Sequence, residues 1–153
     1  MPAERDGGRR IVVGVDGSVS SKAALAWALR QARLTGAVVE AVIAWEFPAS
    51  YGYPVEPIVD VDWETLAQQV VRDAIAEVTA TAEPSRIRSK VVQGNAAQVL
   101  VHESAGADLL VVGSRGHGGF AEALLGSTGQ HCVHHASCPV VVIRDSVTRA
   151  PQD

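Results

Sequence analysis

Short apolar, mostly β-branched runs alternate along this sequence with segments whose apolar residues recur at helical spacing, and that alternation restricts the fold more than any other property. Ile11 to Val15, Val38 to Trp45, Leu109 to Val112 and Val140 to Ile143 are such runs. A strand that is apolar at successive positions has both faces covered, as the central strands of parallel sheets do. Ile87 to Val92 is a further strand, and its more polar character places it at a sheet edge.

Helical segments separate these strands. Ala24, Leu25, Ala28, Leu29 and Ala32 share one face of a first helix, with Gly36 just past its end as a left-handed cap. Trp63, Leu66, Val70, Ala74 and Val78 define a second, which starts near Asp60 or Asp62 and ends before Pro84. Asn95 and Gln98 have capping-box spacing and open a third that runs to about Ala105 and is closed by Gly106. Ser127 to Ala136 is the fourth. Pro48, Gly52, Pro54 and Pro57 interrupt the stretch from Glu46 to Val59, which reads as a surface loop. Strands joined through helices imply right-handed crossovers, a mainly parallel sheet and helices on both of its faces. The expected fold is thus an α/β, doubly wound domain. Its ligands belong beyond the carboxyl ends of the strands, where the winding reverses. Asp16 and Gly113 both fall at such ends.

The chain has 153 residues, enough for one domain with a sizeable core. Only 5% of its residues are aromatic, so that core is built from Val, Ala, Leu and Ile. The net charge of −4 without a basic cluster argues against nucleic acid or an anionic membrane as a partner, and no apolar run approaches a membrane span. Residues 1 to 8 lack the apolar region of a signal peptide and are expected to be a disordered leader, residues 9 to 145 the domain, and residues 146 to 153 a polar tail. A cytoplasmic location follows, in which Cys132 and Cys138 stay thiols.

The apolar run at Leu109 to Val112 empties into Gly113-Ser114-Arg115-Gly116, and after nine residues comes Gly126-Ser127-Thr128. Glycines let a backbone approach an anion closely, and a helix amino terminus offers N–H groups and a positive dipole end. Ser127 and Gln130 again have capping-box spacing, so the N–H groups around Ser127 and Thr128 are assigned to phosphates. Gly113 and Gly116 are expected to present N–H groups to phosphate or ribose, with Arg115 and His117 adding charge or hydrogen bonds. Asp16 would repel bare phosphate, and the alternative for it is a turn aspartate that accepts local N–H bonds.

Four motifs in order, Val-Val-Gly-Val-Asp-Gly-Ser at 12 to 18, Asp-Leu-Leu-Val-Val-Gly-Ser-Arg-Gly at 108 to 116, Leu-Leu-Gly-Ser-Thr at 124 to 128 and Cys-Pro-Val-Val-Val-Ile-Arg at 138 to 144, make the chain resemble the universal stress protein family, in its ATP-binding branch. Gly113, Gly116, Gly126 and Ser127 satisfy that family's Gly-x2-Gly-x9-Gly-Ser/Thr pattern. The resemblance implies a five-stranded parallel sheet of order 3-2-1-4-5, a Rossmann-like, HUP-type fold. It implies an ATP site, with or without Mg, to which Gly14, Ser114, Gly118 and Gly119 also contribute. Asp16 would stand beside ribose or adenine or help to hold a divalent ion, and Ala44 would meet adenine through its backbone. It further implies a homodimer, through residues 139 to 144 of the last strand.

No Gly-x4-Gly-Lys-Ser/Thr loop is present, and the only lysines are Lys22 and Lys90, far from the glycine turn. The parts with which P-loop enzymes stabilise a transferring phosphoryl group are therefore missing. The expected function is a nucleotide-dependent regulatory or signalling module of the stress response, with an unidentified protein partner. The rivals are a slow ATPase or phosphotransferase using Asp16 and a divalent metal, and a nucleotide-free dimeric interaction module. His131, Cys132, His134, His135 and Cys138 match no standard zinc spacing, so no metal centre is expected there. Trp45, at a strand end, is a candidate for the pocket mouth, and Tyr51-Gly52-Tyr53-Pro54 for a lid.

Overall fold

The computed structural model describes residues 8–47, 61–80, 86–114 and 126–144. In chain order the elements are β1 (Arg10–Gly14), α1 (Val19–Thr35), β2 (Val38–Trp45), α2 (Trp63–Thr79), β3 (Ile87–Gln93), α3 (Ala96–Glu103), β4 (Leu109–Gly113), α4 (Ser127–His135) and β5 (Val140–Ile143). The strands form one sheet in the order β3-β2-β1-β4-β5, and every pairing is parallel. This is the doubly wound, Rossmann-like architecture expected from the sequence, with the polar strand β3 at one edge and the apolar strand β5 at the other.

Alternate residues of the central strands feed two cores. Ile11, Val13 and Val15, with Val39, Ala41, Ile43 and Val111, pack under α1 and α2. Val12, Val42, Leu110 and Val112 pack against Val99 and Leu100 of α3 and Cys132 of α4. Val12, Val13, Val39, Leu110 and Val111 expose no surface, which is why β1 and β4 read as unbroken apolar runs. Ala24, Ala28 and Ala32 let α1 lie close to the sheet, while Leu25 and Leu29 fill the flanks; each buried leucine contributes about 1.5–3 kcal/mol.

Local signals fix the helix ends. The Ser18 Oγ accepts the Ser21 N–H at 3.1 Å to open α1, and Gly36, at φ 78°, donates its N–H to the Ala32 carbonyl to close it. Asp62, not Asp60, caps α2, accepting the Thr65 N–H at 3.0 Å and the Thr65 hydroxyl at 2.8 Å. The Asn95 Oδ1 accepts the Gln98 N–H at 3.2 Å to start α3. That helix stops at Glu103, short of Ala105, because the Ala105 and Ala107 N–H groups tighten the chain into three-residue turns onto the His102 and Ser104 carbonyls.

At the amino edge of the sheet Arg10 ties three elements together. Its guanidinium meets the Glu40 carboxylate at 3.1 Å and donates to the Glu103 and Ala105 carbonyls at 3.0 and 2.9 Å. Its backbone N–H donates to Asp108 Oδ2 at 2.7 Å. The opposite, carboxyl edge is thereby left as the place where loops converge.

Candidate functional site

The winding reverses between β1 and β4, since the chain leaves β1 through α1 for β2 on one side and reaches β4 through α3 from the other. Asp16 and Gly113, at the carboxyl ends of these adjacent strands, flank that point. After β1 the backbone turns at Gly17, whose φ of 84° suits glycine, and enters α1 at Ser18. Asp16 Oδ1 accepts the Ser18 N–H at 2.9 Å, and the Asp16 N–H donates to Ser21 Oγ at 3.2 Å. Asp16 is thus built into the turn that caps α1, in the local role the sequence offered as its alternative, and that turn holds its carboxylate at the rim.

Gly14 and Gly113 are small for a reason the sequence reading did not contain. Neither adopts a positive φ. A Cβ on Gly14 would stand 2.6 Å from Leu100 Cδ1, so α3 packs into the space a side chain would fill. A Cβ on Gly113 would overlap Ser20 Oγ and come within 2.7 and 2.8 Å of the carbonyl carbon and oxygen of Ser20. The first turn of α1 therefore presses on the end of β4. Ser114 donates its N–H to the Ile143 carbonyl at 2.9 Å, which engages that N–H in the sheet.

The amino terminus of α4 departs from expectation. Gly126 is the cap residue, at φ −65° and ψ 163°, and as a glycine it makes no side-chain cap bond. Ser127 is the first helical residue, and its pairing with Gln130 in a capping box is not formed. The Gln130 N–H makes the first intrahelical bond, to the Gly126 carbonyl at 3.0 Å, so the N–H groups of Ser127, Thr128 and Gly129 precede the helical ladder. Gly126 donates its own N–H to the Ser114 carbonyl at 2.8 Å, which seats this helix end directly on the end of β4. About half a positive elementary charge is concentrated at such a terminus.

Ala44 lies at the carboxyl end of β2, in register with Val92 of β3, and its side chain belongs to the core beneath α3 and α4. Trp45 packs on the opposite face, edge-on to Phe47 with centroids 5.4 Å apart. Its Nε1–H is buried and makes no hydrogen bond among the described residues. The structure thus gathers Gly14, Asp16, Ala44, Gly113, Ser114, Gly126, Ser127 and Thr128 along one edge. Arg115, Gly116, His117, Gly118, Gly119 and the lid candidate at 51 to 54 lie outside the described residues. Ser20 and Ser21, in the first turn of α1, are the part of this edge that motif reading missed; the Asp-Gly-Ser turn with a serine three positions on was the signal for it. Among the described residues no group of three or more His, Cys, Asp or Glu could hold a metal ion.

A parallel sheet of order 3-2-1-4-5 with a helix amino terminus seated at its switch point defines a Rossmann-like α/β domain. Within that class the chain belongs to the universal stress protein family, whose profile matches residues 8–144. A universal stress protein of Mycobacterium tuberculosis is 36% identical over 141 residues, 90% of this chain and 46% of that one. The chain spans about half the length of the curated relatives it matches. Among solved structures, the universal stress protein UspA from Lactobacillus plantarum superposes with a TM-score of 0.71 at 25% identity, covering 89% of this chain and 97% of that one. A universal stress protein in complex with cAMP superposes with a TM-score of 0.65 at 29% identity, covering 90% and 98%. No helix among the described residues is long and apolar enough to cross a membrane.

Proposed function

We propose that the carboxyl edge of the sheet binds an adenine nucleotide, ATP with or without Mg, and that the protein acts as a nucleotide-dependent regulatory module of the stress response. The observation that carries this reading is the amino terminus of α4, opened by a glycine that makes no side-chain cap bond and anchored to β4 through the Gly126–Ser114 bond. Three successive N–H groups and the dipole there favour an anion of phosphate size. Ser127 and Thr128 take the phosphates, Asp16 stands at the ribose, base or divalent ion, and the end of β2 at Ala44 receives the base. The cAMP complex of a structural relative supports an adenine nucleotide as the ligand class. Residues 139 to 144 pair with a second copy of the chain.

Ser127→Glu tests the cradle. A carboxylate in the first turn suits the helix dipole and leaves the fold as stable as before, yet it repels phosphate. Calorimetry with ATP and with cAMP is expected to show affinity falling at least about tenfold, the factor equivalent to 1.4 kcal/mol. Unchanged affinity for both nucleotides would overturn the assignment. Equal loss for ATP and cAMP places a phosphate of each on α4, and loss for ATP alone reserves the cradle for a polyphosphate.

A further inference from the structure

We propose that the carboxyl-terminal half of α4 carries a site for one borderline divalent transition-metal ion, held by the imidazoles of His131 and His135. The reading is independent of the nucleotide site at the other end of the helix. His131 and His135 are four residues apart, so they share a face one turn removed from each other. Their ring centroids lie 4.4 Å apart with planes inclined by 37°. An imidazole nitrogen binds such an ion at about 2.0–2.1 Å, which puts the ring centre about 3.2 Å from the metal. Two centres 4.4 Å apart then subtend about 90° at a shared ion, an angle that suits two adjacent ligands.

The surroundings favour a cation. The site reaches into the last turn of α4 at His135, where the helix dipole is negative. His135 is exposed and His131 half-buried, so the remaining coordination positions open to water or to a donor from another molecule. Cys132 is fully buried in the core beneath α3 and α4 and is no ligand. His134 has its ring centroid 6.4 Å from that of His135 and serves as an internal control. Imidazole pairs select copper, nickel and zinc, whereas magnesium and calcium require oxygen ligands. The site is distinct from a four-ligand structural zinc centre: two protein ligands give exchangeable binding that follows the free metal concentration.

The test is titration of the whole chain with Zn²⁺ by calorimetry in a non-chelating buffer, alongside the thermal midpoint with and without the ion. The wild type is expected to bind one Zn²⁺ and to melt at a higher temperature with it, because the chelate bridges one helical turn. His131→Ala and His135→Ala should each weaken binding at least about tenfold, His134→Ala by less than about threefold, and Mg²⁺ should give no saturable heat. Absence of saturable Zn²⁺ binding, or undiminished affinity in the doubly substituted chain, would overturn the proposal. If the alanine pair fails to fold, His131→Gln with His135→Gln, which keeps helix propensity and side-chain bulk, decides the question in the same way.

Discussion

A methyl group added at position 113 has nowhere to go. Its neighbours would be the carbonyl carbon and oxygen of Ser20 at 2.7 and 2.8 Å, and helix backbone cannot step aside as a side chain can. Gly113→Ala is therefore expected to lower the unfolding free energy by about 1–3 kcal/mol in a denaturant titration, with Gly14→Ala costing less because Leu100 Cδ1 is the tip of a rotatable side chain. Loss of nucleotide binding in Gly113→Ala would accordingly report on the seat of α1 as much as on any phosphate. Cys132 makes a second expectation. Burial, reinforced by Cys138, pushes its thiol from the usual 9.0 up to about 11. The folded thiol should resist alkylation at neutral pH, and the unfolded one should react. Because the folded value is raised, the stability contributed by the neutral thiol is present below pH 9.0 and is lost as pH rises through 9.0 towards about 11. Cys132→Ala should flatten that alkaline limb of the unfolding profile. Neither the Ser20 contact nor the exchange of roles between Gly126 and Ser127 could be read from the sequence. A Ser-x-x-Gln spacing looks the same whether its serine caps a helix or begins it, and glycine caps leave no side-chain signal.

The elements themselves were far more legible. Asp-Gly-Ser before α1, Gly36 after it and Asn95 before α3 are side-chain or left-handed signals that act within a few residues, and the structure uses each of them. Parallel pairing followed from the alternation of strands and helices, because a helical crossover carries the chain back so that the next strand runs in the same direction. The strand order did not, since a run such as Val140 to Ile143 carries no mark of which neighbour it will join; order 3-2-1-4-5 came through family resemblance. The cap of α2 yields a pH dependence. Hydrogen bonds from the Thr65 backbone N–H, and then from its hydroxyl, hold the Asp62 carboxyl below its ordinary 3.8. With a depressed value in the folded state, the stability from this cap is present above pH 3.8 and disappears as pH falls through the lower, folded value. Asp62→Asn keeps an acceptor for the Thr65 N–H, and it should remove this part of the acid dependence, as followed by helical circular dichroism.

For the whole molecule, the proposed pairing with a second copy rests on strand β5. The carbonyls of Pro139 and Ile143 accept from Leu110 and Ser114, so the backbone groups of 139, 141 and 143 face β4 and those of Val140 and Val142 face outward. All four residues of β5 are only half-buried, and none is charged or proline, the usual guards of an edge. Wild-type protein is expected to sediment as a dimer at micromolar concentration, and Val142→Pro, which removes one outward N–H and spares the bonds to β4, as a monomer. A monomeric wild type would refute the pairing. Ser114 makes this more than a matter of stoichiometry. Its N–H holds β5 and its carbonyl holds the amino terminus of α4, so one residue is shared by the edge proposed to pair and the helix proposed to take phosphate. Any factor by which nucleotide changes the dimer constant must then reappear, by thermodynamic reciprocity, as the factor by which dimerisation changes nucleotide affinity. With such a coupling, a cell holding little of this protein and a cell holding much of it would reach different degrees of saturation at the same level of the proposed nucleotide.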